Sequence, residues 1–375
     1  MFLVAMALLA VAVACGSSGS SGASHTPSVT DDDDNDDASP GDDDDNDDAS
    51  PDDDDDDNDD SSPSDDDDDD DNDNDDNDDD DASPAWSALA SGVSSPLSAV
   101  WGSASSDVFA VGQNLATNTG MIVHFDGSSW SATTNGSTSW LFGVWGSSAA
   151  DVFAVGPAGA GAGGAVIHFD GAAWSAMASG ATAALYGVWG SSASDVFAVG
   201  DDILHYDGSS WSAMTSAAGA ALTGVWGSSP SDVFAVGQND DGQTGVILSY
   251  DGSAWSTMAT GTAPGLNGVW GSSASDVFAV GSGGAVLHYD GSAWSTMASG
   301  TSAVLYGVWG NSASAVFAVG YASTGIGASV VLLYEGSSWS AMTTGATVQL
   351  NGVWGSSFSD VFAVGLEGAI LHYGG

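Results

Sequence analysis

The sequence predicts an all-β fold, a seven-bladed β-propeller of four-stranded antiparallel blades, over residues 84–375. Three observations predict it. A Val-Trp-Gly segment occurs seven times, at separations of 37 to 45 residues. Each copy is followed by Asp-Val-Phe-Ala-Val-Gly or a close variant, and then by an aromatic residue, a turn such as Asp-Gly-Ser-Ser, and a further Trp. The Val-Trp-Gly tryptophans are Trp101, Trp145, Trp189, Trp226, Trp270, Trp309 and Trp354.

One repeat contains four predicted strands, as the third copy illustrates. The first strand covers 185–190, the second 196–199 and the third 203–206, and the fourth begins at Trp211. Asp207-Gly208, between the third and fourth strands, is a strong hairpin signal because Gly readily adopts the positive φ that such turns need. Four short strands joined by tight turns predict one antiparallel blade.

The intervals between the repeated residues are nearly constant. The first-strand Trp precedes the second-strand Phe by eight residues in every copy, and the third-strand aromatic residue precedes the fourth-strand Trp by five. The fourth-strand Trp precedes the next first-strand Trp by fifteen. Only the interval from the second-strand Phe to the third-strand aromatic residue varies, from 9 to 17 residues. We therefore expect the length variation to lie in the loops between the second and third strands.

The two ends of the repeat region complement each other. The last copy stops at Gly375 without a fourth strand, while residues 86–89 have the character of a fourth strand and begin fifteen residues before Trp101. The sequence predicts that this N-terminal strand joins the last blade. Such closure removes the free edges that an open sheet would expose.

The chain begins with features of an exported protein. Residues 1–14 are predicted as a signal peptide, because Phe2 to Ala14 is an apolar run too short to span a bilayer. Cys15, the only cysteine, follows directly. One interpretation is a lipoprotein signal in which Cys15 is lipidated and anchors the protein to the membrane. The alternative is an ordinary secretory signal, since Ala12 stands where Leu is usual and no basic residue precedes the apolar run.

Charge dominates the segment that follows. Residues 15–30 form a Gly/Ser-rich linker, and 31–83 form an Asp-rich tether that we expect to be disordered. The stretch 31–81 holds 34 of the 51 acidic residues, and the whole chain has no Lys or Arg. Nucleic acid is therefore excluded as an expected partner, since phosphate binding relies on those cations. The tether lacks the spacing of a defined calcium loop, so we expect at most nonspecific Ca²⁺ binding there.

The repeats carry a family resemblance. With their Val-Trp-Gly-Ser-Ser, Asp-Val-Phe-Ala-Val-Gly and His-Tyr-Asp-Gly-Ser-Ser-Trp segments, residues 84–375 resemble bacterial exported propeller-repeat lipoproteins. They are more distantly similar to WD-repeat and Asp-box propellers, although the Asp-Gly-Ser-Ser-Trp segment is one residue shorter than an Asp-box. The resemblance implies a binding platform at the cell envelope or surface, in the outer membrane if lipidated, and names no ligand.

Two sets of Asp and one set of His recur, and we interpret them as structural. The Asp residues are expected to cap turns through nearby backbone N–H groups, and the His residues to make hydrogen bonds between strands. The Asp residues before second strands are Asp107, Asp151, Asp195, Asp232, Asp276 and Asp360. Those in hairpin turns are Asp126, Asp170, Asp207, Asp251 and Asp290. The His residues are His124, His168, His205, His288 and His372.

Candidate ligand-binding residues are those that break the repeat. The residue three before each Val-Trp-Gly tryptophan diverges between blades, and Trp140 has no counterpart in the other links between blades. These residues predict a sugar- or peptide-binding rim near the mouth of the central channel. The alternative is neutral drift at a tolerant position. The candidates are Phe142, Tyr186, Tyr306, Asn267, Asn351 and Trp140.

Acidic loop residues form a second candidate site. Asp201 and Asp202 lie in one second-to-third loop, and Asp240 and Asp241 lie in the corresponding loop of the next blade. They predict a Ca²⁺ site, with hydrated surface carboxylates as the alternative. No other cofactor is expected.

Three functions remain open at this point. The first is an exported, lipid-anchored, non-catalytic platform that binds a protein, peptide or glycan on its variable face. The second is a glycan-active enzyme, a lyase or glycoside hydrolase, although no nucleophile, catalytic cation or singled-out carboxylate pair supports it. The third is a passive envelope spacer with a cation-binding acidic tail. We expect no enzymatic activity.

Overall fold

The computed structural model describes residues 84–374 apart from 134, 138, 160–162, 216–218, 262 and 323–327. The signal peptide, the linker with Cys15 and the Asp-rich tether lie outside the described residues. The described residues form 28 strands in seven four-stranded antiparallel sheets, which confirms the seven-bladed propeller. No helix in this part of the chain is both long and apolar enough to cross a bilayer.

The first strand of each blade is the innermost strand and carries the Val-Trp-Gly segment. Each inner strand contacts the inner strands of both neighbouring blades, and the last contacts the first, so the seven form a closed ring. The inner strands are β2 (Leu97–Ala104), β6 (Gly143–Ser148), β10 (Leu185–Ser192), β14 (Ala220–Ser229), β18 (Leu266–Ser273), β22 (Val304–Ser312) and β26 (Leu350–Ser357).

The second strand of each blade is the most deeply buried. Its Val-Phe-Ala-Val residues are 0 to 3% exposed in every blade, because both faces of the strand pack against neighbouring blades. A continuous apolar run, without alternation, is the pattern that two buried faces require. The second strands are β3 (Asp107–Asn114), β7 (Asp151–Pro157), β11 (Asp195–Gly200), β15 (Asp232–Asn239), β19 (Asp276–Gly281), β23 (Ala315–Ala322) and β27 (Asp360–Gly365).

The third and fourth strands form the outer half of each blade. The third strands are β4 (Thr119–Phe125), β8 (Gly164–Phe169), β12 (Ile203–Tyr206), β16 (Gly245–Tyr250), β20 (Val286–Tyr289), β24 (Ala328–Tyr334) and β28 (Ile370–Gly374). The fourth strands are β5 (Trp130–Ala132), β9 (Trp174–Met177), β13 (Trp211–Met214), β17 (Trp255–Met258), β21 (Trp294–Met297), β25 (Trp339–Ala341) and, from the N-terminal end, β1 (Ala85–Leu89). Single 3₁₀ turns, Ser282–Gly284 and Leu366–Gly368, precede β20 and β28.

The N-terminal strand closes the ring as the sequence predicts. Strand β1 pairs with β28, and Trp86 lies opposite Tyr373 in the register that Trp211 and Tyr206 have in the third blade. Trp86 also meets Phe317 of the sixth blade edge-on, with ring centroids 6.2 Å apart. The closing strand therefore makes the same kinds of contact as a fourth strand that belongs to its own repeat.

The core is divided into seven similar clusters, each at a boundary between blades. At one boundary Trp145 lies over Gly190 of the next Val-Trp-Gly segment, so closely that a Cβ on Gly190 would stand 2.6 Å from Trp145 Cη2. The indole needs the space that only Gly leaves, which explains why Trp and Gly recur together. Phe153 adds to this boundary, with its ring centroid 5.8 Å from that of Tyr206 in the next blade.

Candidate binding face

The second-to-third loops and the links between blades lie on one side of the disc, which we call the loop face. In each of two blades, the side chain five residues after the fourth-strand Trp connects the link to the second-to-third loop. Asn135 Nδ2 donates to Gly120 O at 3.2 Å, and Ser179 Oγ donates to Gly164 O at 2.9 Å. Each of these hydrogen bonds ties a link to the start of a third strand. The variable loops are thereby held on a fixed frame, as is usual for functional loops on a rigid scaffold.

The opposite side, the turn face, is built from the repeated Asp turns. Asp207 Oδ1 accepts hydrogen bonds from Ser209 Oγ at 2.6 Å and from the N–H groups of Ser209 and Ser210 at 2.9 Å. These bonds, the hydroxyl bond most strongly, lower the pKa of Asp207 to about 2. The expected turn-capping role is confirmed for the hairpin Asp residues. The pKa is also about 2 for Asp126, Asp251 and Asp290.

The Asp residues before second strands have other partners than expected. Asp195 Oδ1 lies 2.7 Å from His205 Nε2, and Ser191 Oγ donates to Asp195 Oδ2 at 2.5 Å. The expectation of backbone capping was wrong here, because the neighbouring third strand presents a His to the carboxylate. The His bond between strands is confirmed. The equivalent His–Asp pairs are His124–Asp107, His168–Asp151, His288–Asp276 and His372–Asp360.

This arrangement differs from a nucleophilic triad. In such a triad the His lies between the Ser and the Asp and accepts the Ser proton. Here Asp195 lies in the middle, so the Ser191 hydroxyl donates to a carboxylate and not to an imidazole base. The imidazole of His205 packs on Phe197, with ring centroids 4.7 Å apart. The Ser–Asp–His set therefore joins three strand segments of a blade and lacks the imidazole base that a nucleophilic triad places next to its Ser.

The divergent inner-strand position lies at a β-bulge. Leu185 pairs with Gly200 and Gly187 pairs with Val199, so Tyr186 between them has no pairing partner. The same irregularity occurs at this position in six of the seven blades. Bulges re-aim side chains and are common beside binding sites. The conformation explains why this residue escapes the packing constraints on its neighbours.

Three aromatic residues of the loop face form a continuous group. Trp140 and Phe142 are edge-to-face with ring centroids 6.3 Å apart, and Phe142 and Tyr186 have centroids 5.5 Å apart at 37°. All three are partly exposed. We call them the aromatic run. Tyr306 occupies the same bulge position in the sixth blade, away from this run, and burial raises its pKa.

The polar members of the ring are engaged in holding it together. Asn267 Nδ2 donates to Leu305 O of the next blade at 2.8 Å, and Asn351 Nδ2 donates to Leu97 O across the closure at 2.8 Å. Asn351 is 7% exposed, and its Oδ1 accepts a hydrogen bond from Gln349 at 2.7 Å. The structure therefore gives both Asn residues a structural role. Their predicted role as ligand-binding residues stays a prediction.

Two of the four candidate calcium ligands are occupied by hydrogen bonds. Asp202 accepts from the N–H groups of Thr182 at 2.6 Å and Ala183 at 2.9 Å. Asp241 caps its own loop by accepting from Thr244 N at 2.8 Å and Thr244 Oγ1 at 2.6 Å. Within the described residues, no cluster of three or more His, Cys, Asp or Glu side chains could hold a metal ion. The calcium site stays a prediction.

Asp201 lies close enough to the aromatic run for its charge to act on Tyr186. It follows Gly200, which pairs with Leu185, so it stands beside the bulge that presents Tyr186. Although Asp201 reaches solvent, partial burial of its carboxyl raises its pKa, and the charges of Asp202 and Asp240 raise it further. Burial, and then the charge of Asp201, raises the pKa of Tyr186. The aromatic run thus ends against an electronegative patch.

A polar group at the other end of the run was not foreseen. Asn118 Oδ1 accepts from Trp140 Nε1 at 3.0 Å and from Gln113 Nε2 at 3.4 Å. Gln113 is 8% exposed, and among the described residues its Oε1 has no hydrogen-bond partner. Asn118 has a φ of 56°, which is rare outside Gly. The sequence placed these residues in a variable loop, and no repeated spacing could reveal the contact.

A separate open groove lies farther from the channel, between the fourth and fifth blades. It has a volume of about 880 Å³ and is lined mainly by small and hydroxyl-bearing residues such as Thr260 and Ser299, together with Leu287, Trp294 and Met297. Its described lining contains no charged side chain. Because Trp294 is the one aromatic residue in that lining, the groove lacks the adjoining rings found at the aromatic run.

Comparisons with known proteins agree on the fold. No family of known proteins matches the sequence, and no curated protein matches it. Among solved structures, "YCF48 bound to D1 peptide" is similar with a TM-score of 0.61 at 14% identity, covering 78% of this chain and 96% of that one. The WD40 β-propeller domain of Doa1 has a TM-score of 0.63 at 11% identity, covering 78% and 96%. Virginiamycin B lyase from Staphylococcus aureus also has a TM-score of 0.63 at 11% identity, covering 78% and 99%. At these identities the likeness shows the propeller fold alone.

Proposed function

We propose that this protein is a non-catalytic binding platform that captures a protein or peptide through its loop face. The observation that carries the proposal is the aromatic run of Trp140, Phe142 and Tyr186, partly exposed and set on a closed ring of inner strands. Aromatic rings on a fixed frame bind with a small loss of conformational entropy, so they are effective anchors for a partner.

One structural neighbour supports a polypeptide partner, because that propeller is described as bound to a D1 peptide. The lyase neighbour shares the fold at 11% identity, and a shared fold does not by itself carry over a catalytic function.

A capture experiment tests the proposal. Full-length protein would be incubated with cell-surface extract, beside a variant with Trp140→Ala, Phe142→Ser and Tyr186→Ser together. The matched control is Tyr306→Ser, which changes the same bulge position in a blade outside the run. We expect the triple variant to lose the captured partner and the control to keep it, with both variants retaining the wild-type circular dichroism spectrum. Equal capture by all three proteins would refute the proposal.

We further propose that the protein is exported and lipid-anchored through Cys15, in the outer membrane or at the cell surface. The support is the apolar run before Cys15 and the long acidic segment after it. Globomycin should block processing, and Cys15→Ser should release the protein from the membrane. A Cys15→Ser protein that stays membrane-bound would overturn the anchor and leave the binding proposal intact.

A further inference from the structure

We propose that the sector of the loop face formed by Trp140, Phe142, Tyr186 and Asp201 binds a cationic side chain of the partner, an Arg guanidinium in preference to a Lys ammonium. This inference rests on the proposed function and names the chemistry that the partner must present. We call the sector the cation seat.

The negative charge of the propeller restricts the charge that a partner can carry. The 51 acidic residues of the chain include 17 outside the Asp-rich stretch, and no Lys or Arg accompanies them. An acidic partner would be repelled from every side of such a domain, whereas a basic one would be attracted before contact. The acidic tether of the same chain is excluded as an occupant for the same reason.

The carboxylates at the seat are not equally free. Asp202 is engaged by two backbone N–H groups and by Thr182 Oγ1. Among the described residues, no hydrogen bond reaches the carboxylate of Asp201, which stands next to the bulge of Tyr186. Because the chain contains no Lys or Arg, a cation that pairs with Asp201 must come from elsewhere, unless it is a protonated His.

The aromatic run supplies the second part of the seat. Phe142 and Tyr186 have centroids 5.5 Å apart at 37°, and Trp140 lies edge-on to Phe142 at 6.3 Å. Cations are attracted to the negative faces of such rings, and a planar guanidinium can also stack on them. A carboxylate beside aromatic rings therefore favours Arg over a neutral side chain of the same size.

The far end of the run is polar but already engaged. Asn118 Oδ1 accepts from Trp140 Nε1 at 3.0 Å and from Gln113 Nε2 at 3.4 Å. Gln113 is more than nine-tenths buried, and its Oε1 is enclosed without a partner among the described residues. The cation is therefore expected at the opposite end, where the carboxylate of Asp201 is exposed.

Defined peptides test the inference without knowledge of the natural partner. The probes are fluorescent heptapeptides Gly-Ser-Gly-X-Gly-Ser-Gly in which X is Arg, Lys or citrulline, titrated into the full-length protein at 150 mM NaCl. Citrulline keeps the shape of Arg and removes its charge. We expect the Arg peptide to bind about tenfold more tightly than the citrulline peptide, and the Lys peptide to lie between them. Equal binding of the Arg and citrulline peptides would overturn the inference.

Variants distinguish binding of the Arg peptide at the cation seat from nonspecific attraction to the negative charge of the whole chain, including the tether. Asp201→Asn should weaken the Arg peptide about fivefold or more, and Phe142→Ser should do the same. Glu367→Gln removes one charge from another second-to-third loop and should change the affinity less than about twofold. A photo-crosslinker next to the Arg should label Trp140 or Tyr186. Equal losses for Asp201→Asn and Glu367→Gln, or labelling confined to the Asp-rich segment, would refute the seat.

The outcome can be distinguished from failure of the proposed function. If capture of the extract partner requires the aromatic run while the protein binds the Arg and citrulline peptides equally, the result would support the binding platform and refute the cation seat. If the triple variant also captures the partner as well as the wild type does, both proposals are refuted.

Discussion

Trp354 in the last blade lies against Gly102 in the first, so tightly that a Cβ on Gly102 would stand 2.6 Å from Trp354 Cη2. Trp145 and Gly190 make the same contact between the second and third blades. The junction between the two ends of the chain is therefore built from the contact that joins internal blades. Its strength can be tested directly.

Gly102→Ala should destabilise the propeller by about 1 to 3 kcal/mol, because the added methyl group overlaps both the Trp354 ring and the Asp107 carbonyl oxygen. Urea unfolding measures the change. Gly219→Ala is the matched control, since among the described residues its Cβ would meet only the flexible Asp240 carboxylate, at 3.3 Å. A control as damaging as Gly102→Ala would contradict the steric explanation.

Trp86→Ala and Trp211→Ala should cost similar free energies of unfolding, each about 2 to 4 kcal/mol. Trp86 closes the ring and Trp211 lies within a continuous repeat, yet both meet a Phe edge-on with centroids 6.2 Å apart. Chemical denaturation of both variants measures the comparison. If Trp86→Ala is nearly neutral, the closing strand contributes less than an ordinary fourth strand.

The double variant Asp195→Ala/His205→Leu should lose less free energy of unfolding than the sum of the losses in the two single variants. Each single change leaves the other group without its 2.7 Å partner, whereas the sixth blade already combines Ala315 with Leu333 at these positions. We expect a favourable coupling of about 1 kcal/mol from a double-mutant cycle. Strict additivity would show that the His–Asp pair has no net effect on stability.

The hairpin Asp residues should produce an acid-dependent loss of stability. In four of the five, the folded pKa of about 2 lies below the ordinary value of 3.8, so their contribution is complete above pH 3.8 and is lost as the pH falls toward 2. A variant with these four changed to Asn should therefore melt below the wild type at pH 6 and approach it near pH 2. The tether is common to both proteins and cancels in the difference. The substitutions are at Asp126, Asp207, Asp251 and Asp290.

A difference in melting temperature that stays constant from pH 6 to pH 2 would contradict this assignment. It would show that the Asn variants lose turn geometry and not charge-dependent hydrogen bonds.

The blade number and the closure could be predicted because the intervals that determine them are fixed by packing. The eight residues from Trp189 to Phe197 bring the two rings into register, and the observed strands pair them directly. The His bonds between strands were also predictable from their repeated position. The carboxylate partner of each His was missed, because Asp195 and His205 become neighbours only once the strands pair.

The candidate site was less accessible to sequence reasoning. Tyr186 stood out because it breaks the repeat, but the bulge that frees it follows from backbone register. Asn351 broke the repeat equally, and its amide is engaged across the closure. The contact of Gln113 and Asn118 with Trp140 depends on the path of a loop that occurs once. Divergence thus located the ring of variable positions and could not separate its open members from its engaged ones.

Because strand β1 completes the last blade, the ring is closed within a blade and not at a boundary between two repeats. Duplication or loss of one whole unit between β1 and β28 would add or remove a blade and leave the pairing of Trp86 with Tyr373 intact. Five of the seven inner strands share the segment Gly-Val-Trp-Gly-Ser-Ser, so the surfaces that meet at different blade boundaries are nearly interchangeable. The ring is therefore modular: its diameter is set by the number of repeats, and its two ends are compatible with more than one number.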